Sequence, residues 1–239
     1  MAKIIHHLFL DKEKNRRIAR ARITSGFASL ASEKSIDEIN VDAILERAEV
    51  SRGTFYRCFH GIESLFQLTA KQLVNEVFDK KILDVPTASD SAMIVAAKTR
   101  LGIRLAASAP TFARLALKIK WPVRHAELKI LQDMKKDVEE GIKQGRFTDM
   151  PSAIGVDLIF STLKGTIQDM LLDTRPVDYE NQAIYQMLVG LGVEVESALE
   201  ISKIPLAELP LLPNTDIAGK ILNLKIGRPR MASRHKEIA

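Results

Sequence analysis

The chain has 239 residues, 46% of them apolar, enough to bury a sizeable core and to build a small head on a larger body. Its formal charge of +5 is uneven: residues 1–30 hold seven Lys and Arg against two acids, residues 220–239 hold six against one, and the stretch between is net acidic. A single cysteine, Cys58, excludes an internal disulfide framework and a multi-cysteine metal site, and fits a reducing cytoplasm.

The opening apolar run, Ile4 to Leu10, is broken by His6 and His7 and runs into Asp11, Lys12, Glu13 and Lys14. It has no small-residue cleavage site and does not read as a signal peptide. No window reaches the roughly 18 uninterrupted apolar residues of a membrane span. Residues 1–15 are expected to form an N-terminal arm, and the basic stretch runs from Lys12 to Arg22. A helix is predicted over residues 16–34, with Ile23, Phe27 and Leu30 on one stripe and Arg16, Arg17, Arg20 and Arg22 on its first turns. Cations there oppose the helix dipole, so a nearby anion would compensate them. A short polar connector follows over residues 35–39.

Residues 40–59 are the most informative stretch. Asn40 is a helix cap, and Val41, Ile44, Leu45 and Ala48 repeat at helical spacing over two turns. A second cap, Ser51, comes three residues after Ala48, and Phe55 and Phe59 resume the apolar spacing. Two helices joined this tightly cross steeply. That is a helix-turn-helix, in which the first helix braces and the second lies in the DNA major groove. The basic residues leading into it favour a polyanionic partner, because phosphate contacts supply most sequence-independent affinity.

After the connector His60-Gly61, a linking helix is predicted from Ile62 to Leu83, closed by the loop 84–89. Further helices are predicted over residues 90–108, 110–120, 123–143, 152–172 and 178–202. Pro110, Pro122, Pro151 and Pro176 sit near helix starts, and Gly145 closes a helix. No segment alternates with period two, so the fold class is all-α. The last two long helices carry Leu163, Ile167, Leu171, Leu188, Leu191 and Val195, with Gly155, Gly165, Gly190 and Gly192 permitting close backbone approach. These stripes complete either a monomer core or a four-helix dimer interface, and pattern alone leaves both open. Pro205, Pro210 and Pro213 then break an apolar stretch into an extended strap, and a basic tail follows.

The string Ile44-Leu-Glu-Arg-Ala-Glu-Val-Ser-Arg-Gly-Thr-Phe-Tyr-Arg-Cys-Phe59, with Glu63-Ser-Leu65 after it, resembles the N-terminal domain of the TetR family of bacterial transcriptional regulators. The match spans about residues 16–70. The body resembles the family more weakly, in helix count and around Gly141, Gly145 and Pro151. The resemblance implies a homodimer on a palindromic double-stranded operator, with an effector cavity in each body and repression as the default outcome. It divides the chain into an arm (1–15), a DNA-binding head (16–61), an effector-binding and dimerisation body (62–203), and a strap and tail (204–239).

On this reading Ser51, Thr54 and Tyr56 hold phosphates, while Arg52, Arg57 and Gly53 face the groove, where an arginine reads guanine by two parallel hydrogen bonds. Asn40, His60, Arg16 and Arg17 complete the DNA-contact set. Phe55 and Phe59 anchor the head's core. Two positions depart from the family pattern. Glu49 stands where the turn usually has glycine, which asks a residue with a Cβ to turn left-handed. Ile62 stands where a phosphate-binding lysine is common.

The tail segment Lys225-Ile-Gly227-Arg228-Pro229-Arg230 resembles an AT-hook, a minor-groove element, although the arginine usual before the glycine is Ile226. The other reading is a solvated basic tail. Candidate walls of the effector pocket are Met93, Leu101, Leu105, Phe112, Trp121, His125, Leu128 and Phe160. The five histidines show no metal-ligand spacing and no catalytic motif is present, so neither a metal, a cofactor nor an enzymatic activity is expected. The competing function is an architectural DNA-binding protein without effector control.

Overall fold

The computed structural model describes residues 2–78, 90–120, 128–172 and 178–205. Among these residues every regular element is a helix. The first, α1 (Ala2–Glu33), runs unbroken through the segment expected to be a separate arm. The reason is local: no glycine or proline occurs before Gly26, and Lys12, Glu13 and Lys14 are good helix formers. A 3-10 turn (Ile36–Glu38) then buries Ile36.

Helix α2 (Val41–Ala48) is capped as expected, the Asn40 side chain accepting from the Ala43 N–H at 2.9 Å. Helix α3 (Arg52–Cys58) is capped by the Ser51 hydroxyl, which accepts from the Thr54 N–H at 3.2 Å. Between them Glu49 is left-handed, at φ 51° and ψ 50°. Ile23, Phe27, Ile44 and Phe55 are fully buried and form the centre of the head. Gly26 lets α1 and α2 cross closely, since a Cβ there would sit 3.1 Å from the Ala48 Cβ.

Helix α4 (Ile62–Val77) belongs to both halves of the molecule. At its start Phe66 packs on Phe27, with ring centroids 5.0 Å apart; at its end Val74 and Phe78 reach into the body. The body comprises α5 (Ser91–Ser108), α6 (Pro110–Leu117), α7 (Lys129–Lys143), α8 (Ser152–Met170), α9 (Tyr179–Gly190) and α10 (Val195–Lys203). Helix α5 is its axis, packed by α6, α7, α8 and α9. Buried Arg100 of α5 ties the far side together, donating to Glu180 at 2.8 Å, to Asn181 at 3.2 Å and to the Ile204 carbonyl.

Two body helices differ from expectation. Helix α7 starts at Lys129, because Leu128 before it is extended. The single helix expected over 178–202 is two, α9 and α10, broken at Gly192 with φ +93°. The break is tertiary in origin. The Thr148 N–H donates to the Leu191 carbonyl at 2.9 Å, and a Cβ on Gly192 would lie 1.9 Å from the Thr148 hydroxyl. Gly145, at φ +67°, closes α7 as its sequence position implies.

Of the four glycines expected to allow close approach, Gly155 packs on Val138 and Gly192 on Thr148, whereas Gly165 and Gly190 face open space.

Candidate nucleic-acid interface and body cavity

The two caps that set the helix-turn-helix also fix which side chains of α3 remain outside. Phe55 and Phe59 point inward and stack at 5.7 Å, so the opposite face carries Ser51, Arg52, Gly53, Tyr56 and Arg57 at the surface, with Thr54 half-buried between them. Tyr56 is 49% exposed even though Phe55 beside it is fully buried. Ser51, Thr54 and Arg57 form a hydrogen-bonded row: the two hydroxyls lie 3.0 Å apart and Arg57 donates to Thr54 at 2.8 Å. Cys58 is buried, its thiol 3.9 Å from the Arg16 carbonyl.

The head's arginines divide into two sets. Arg22 donates to the Glu49 carbonyl and carboxylate, both at 3.2 Å. Arg47 makes a bidentate pair with Glu33 at 2.6 and 2.8 Å, and Arg52 pairs with Asp42. The Arg47 guanidinium holds the Glu33 carboxyl below its ordinary value, and Glu33 raises Arg47 in return. Arg16, Arg17, Arg20 and Arg57 form no ion pair among the described residues. Arg20 lies over the Phe59 ring at 5.4 Å, a cation held at the end of α3 by an aromatic face. His60 is exposed at the corner after α3, and Ile62 packs half-buried against the core, where it offers no charge.

A partly open cavity of about 50 Å³ lies between the end of α4 and the body helices. Phe112, Leu128 and Phe160 line it, together with Phe78, Gly102, Ile119, Leu163, Lys164 and Ile167, which the sequence reading did not assign to it. Met93, Leu101 and Leu105 do not line it, although all three lie in the body; Trp121 and His125 lie outside the described residues, as does the whole tail.

Of the two roles left open for the stripes of the last long helices, protomer core or dimer interface, most of the residues take the first. Leu163, Ile167, Leu188 and Leu191 are buried within one protomer, Leu171 is half-buried, and only Val195 is exposed. Helix α8 spends that face on its own core: a Cβ on Gly102 of α5 would lie 3.1 Å from Leu163. A different stripe of α8 faces out, made of Ile154, Leu158 and Gly165, with Leu172 just past the helix end.

The wall of the cavity touches the head. Gln67 of α4 donates to the Lys118 carbonyl and accepts from the Lys120 N–H at 3.2 Å. Asp37, in the 3-10 turn before α2, receives Lys118 at 3.3 Å and Arg114 at 4.0 Å. Ile119, between the two clamped residues, is itself a cavity residue.

A head of this form on an all-helical body defines a helix-turn-helix DNA-binding regulator. Residues 23–69 match the model for bacterial regulatory proteins of the tetR family, and residues 90–204 match that for the tetracyclin repressor-like C-terminal domain. The chain belongs to the TetR family: it is a DNA-binding transcriptional regulator and not an enzyme. Among solved structures, RolR without ligand is 26% identical with a TM-score of 0.61, covering 79% of this chain and 99% of RolR. RolR in complex with resorcinol is 24% identical with a TM-score of 0.66, covering 82% and 99%. No curated protein sequence gives a match. No helix among the described residues is long and apolar enough to cross a membrane.

Proposed function

We propose that the protein is a homodimeric repressor that binds a palindromic operator through α3 and is released by a small apolar effector held in the body. The observation that carries this reading is the outward face of α3. Hydroxyls at Ser51, Thr54 and Tyr56 suit phosphate oxygens, and Arg52 and Arg57 are long enough to reach base edges. Gly53 leaves the approach open, a Cβ there meeting nothing nearer than the Ser51 hydroxyl at 4.0 Å. Arg16, Arg17 and Arg20, which form no ion pair among the described residues, extend the cationic surface along α1, supplying salt-dependent affinity.

Dimerisation is supported by the outward stripe of α8. Ile154 is 50% and Leu172 63% exposed, with Leu158 and Gly165 between them on the same face. Such a row costs free energy in water until a second copy covers it. The small residue at Gly165 suits close helix approach across a twofold axis.

Effector control is supported by the cavity and by what its wall holds. Three phenylalanines and aliphatic side chains make it apolar, with Lys164 as its charged residue. At about 50 Å³ it is smaller than the ~150 Å³ cavity that takes up benzene. A ligand of one aromatic ring would therefore bind better to an arrangement with the wall moved outward. Moving Ile119 disturbs Lys118 and Lys120, which Gln67 and Asp37 tie to α4 and to the head. That is a population shift: the effector favours the arrangement in which the heads are misplaced for the operator.

The test is selection of bound fragments from random duplex DNA by the full chain, followed by titration with a panel of one-ring compounds such as phenol, benzoate and resorcinol. Enrichment of a twofold-symmetric sequence, released by at least one compound, is the expected result. Enrichment without symmetry, insensitive to every compound, would favour an architectural binder.

A further inference from the structure

Within the head, one ion pair joins the two arms of the helix-turn-helix itself. Asp42 in the first turn of α2 holds the guanidinium of Arg52, the first residue of α3. The other two acid partners brace different places: Glu33 joins α1 to Arg47 at the end of α2, and Glu49 joins the turn to Arg22 of α1. The Asp42–Arg52 pair is exposed on both sides, 73% and 58%, so it contributes little to stability. Its effect is on where Arg52 points and on how much charge Arg52 presents.

We infer that Asp42 is a specificity-determining residue, positioning Arg52 for base reading and suppressing its use as an indiscriminate phosphate clamp. The inference rests on the reading of Arg52 as a base-contacting side chain. A free arginine must lose rotamer freedom to form a bidentate contact; one already held by a carboxylate loses less. The pair also uses only one of the two Nη2 hydrogens, leaving donors for two parallel bonds to a guanine edge. The carboxylate cancels the net charge of Arg52, and with it the long-range pull toward phosphate. Hydrogen bonds to a neutral base edge survive that cancellation. On a mismatched sequence Arg52 has no base partner, and Asp42 near the DNA backbone adds repulsion. Asp42 thus weakens binding to all DNA but weakens wrong DNA more.

The experiment measures affinity of the full chain for a duplex selected from random DNA and for a scrambled duplex of the same composition, across a salt series. It compares wild type, Asp42→Asn, Arg52→Ala and the double variant, with unfolding midpoints read in parallel. Asp42→Asn should tighten binding to the scrambled duplex several-fold, steepen its salt slope by about one charge, and cut the selected-to-scrambled ratio by about tenfold. The double variant should show the same selected-to-scrambled ratio as Arg52→Ala, because Asp42 acts on specificity through Arg52. If Arg52→Ala lowers the ratio while Asp42→Asn changes neither the ratio nor the slope, the role of Asp42 is overturned and base reading by Arg52 stands. If Arg52→Ala leaves the ratio unchanged, the base-reading assignment fails and the role of Asp42 falls with it.

Discussion

Gln67 donates its side-chain amide to the carbonyl of Lys118, and its oxygen accepts from the Lys120 N–H, so one side chain of α4 holds both polar ends of the segment that walls the cavity. Removing the amide with Gln67→Ala should cost about 1 kcal/mol of stability, the typical net worth of such bonds at a partly solvated site. The larger effect should fall on coupling. DNA affinity without effector should change little, while release by an active one-ring compound should weaken by about tenfold or more. Urea unfolding and DNA titrations with and without the compound separate the two effects.

Glu49 carries strain that its neighbours offset. Its left-handed backbone costs a residue with a Cβ about 1 kcal/mol, and its carboxylate recovers part of that through Arg22. Glu49→Gly should stabilise the head by roughly 0.5 kcal/mol, the strain relieved less the exposed pair lost. Glu49→Ala keeps the strain and loses the pair, so it should destabilise slightly. Chemical denaturation of the two variants reads the difference in sign.

The outward stripe of α8 is the face we propose for dimerisation, and a variant there tests self-association apart from folding. Leu158→Glu places a charge on an exposed face, so the protomer should stay folded with stability within about 0.5 kcal/mol of a monomeric reference. Sedimentation should show loss of the dimer, and DNA affinity should fall with it. By contrast, Gly192→Ala should unfold the body by at least about 2 kcal/mol, because the new Cβ meets the Thr148 backbone and the position has φ +93°.

Asp137 supplies a pH signature. Burial raises its carboxyl above the ordinary 3.8, only partly offset by Lys98, whose ammonium lies 2.6 Å away. The folded state therefore keeps a proton that the unfolded chain releases first. The resulting stabilisation is present in acid and lost as pH rises from the unfolded value through the raised one. Asp137→Asn removes this dependence. As pH rises above the ordinary carboxylate range, wild-type stability relative to that variant should decline, as read from paired urea midpoints.

Much of the head was legible because its signals are local. Asn40 and Ser51 cap within three residues of themselves, and Ile23, Phe27, Ile44 and Phe55 repeat at spacings that a single helix face dictates. The left-handed turn at Glu49 followed from the family resemblance, which has glycine at that position, and not from any pattern in the neighbouring residues. The body was less legible because two of its faces look alike in sequence. Helix α8 has one apolar stripe through Leu163 and Ile167 and another through Ile154 and Leu158, and only tertiary packing tells which one the protomer buries. The break at Gly192 depends on Thr148, 44 residues earlier, which no local pattern reveals. The cavity shows the same limit. Phe112, Leu128 and Phe160 were within reach of composition, whereas Gly102 and Lys164 line it only because α5 and α8 cross there.

DNA reading by the exposed face of α3 underlies the proposed function. It is tested most directly by fluorescence anisotropy of the full chain on its selected duplex, comparing wild type with Tyr56→Ala and Arg57→Ala. Both side chains are at the surface, so both variants should keep the wild-type unfolding midpoint and lose about tenfold or more in affinity, with Arg57→Ala also relaxing preference at one position of each half-site. Folded variants that bind the selected duplex as tightly as wild type would show that this face of α3 does not read DNA.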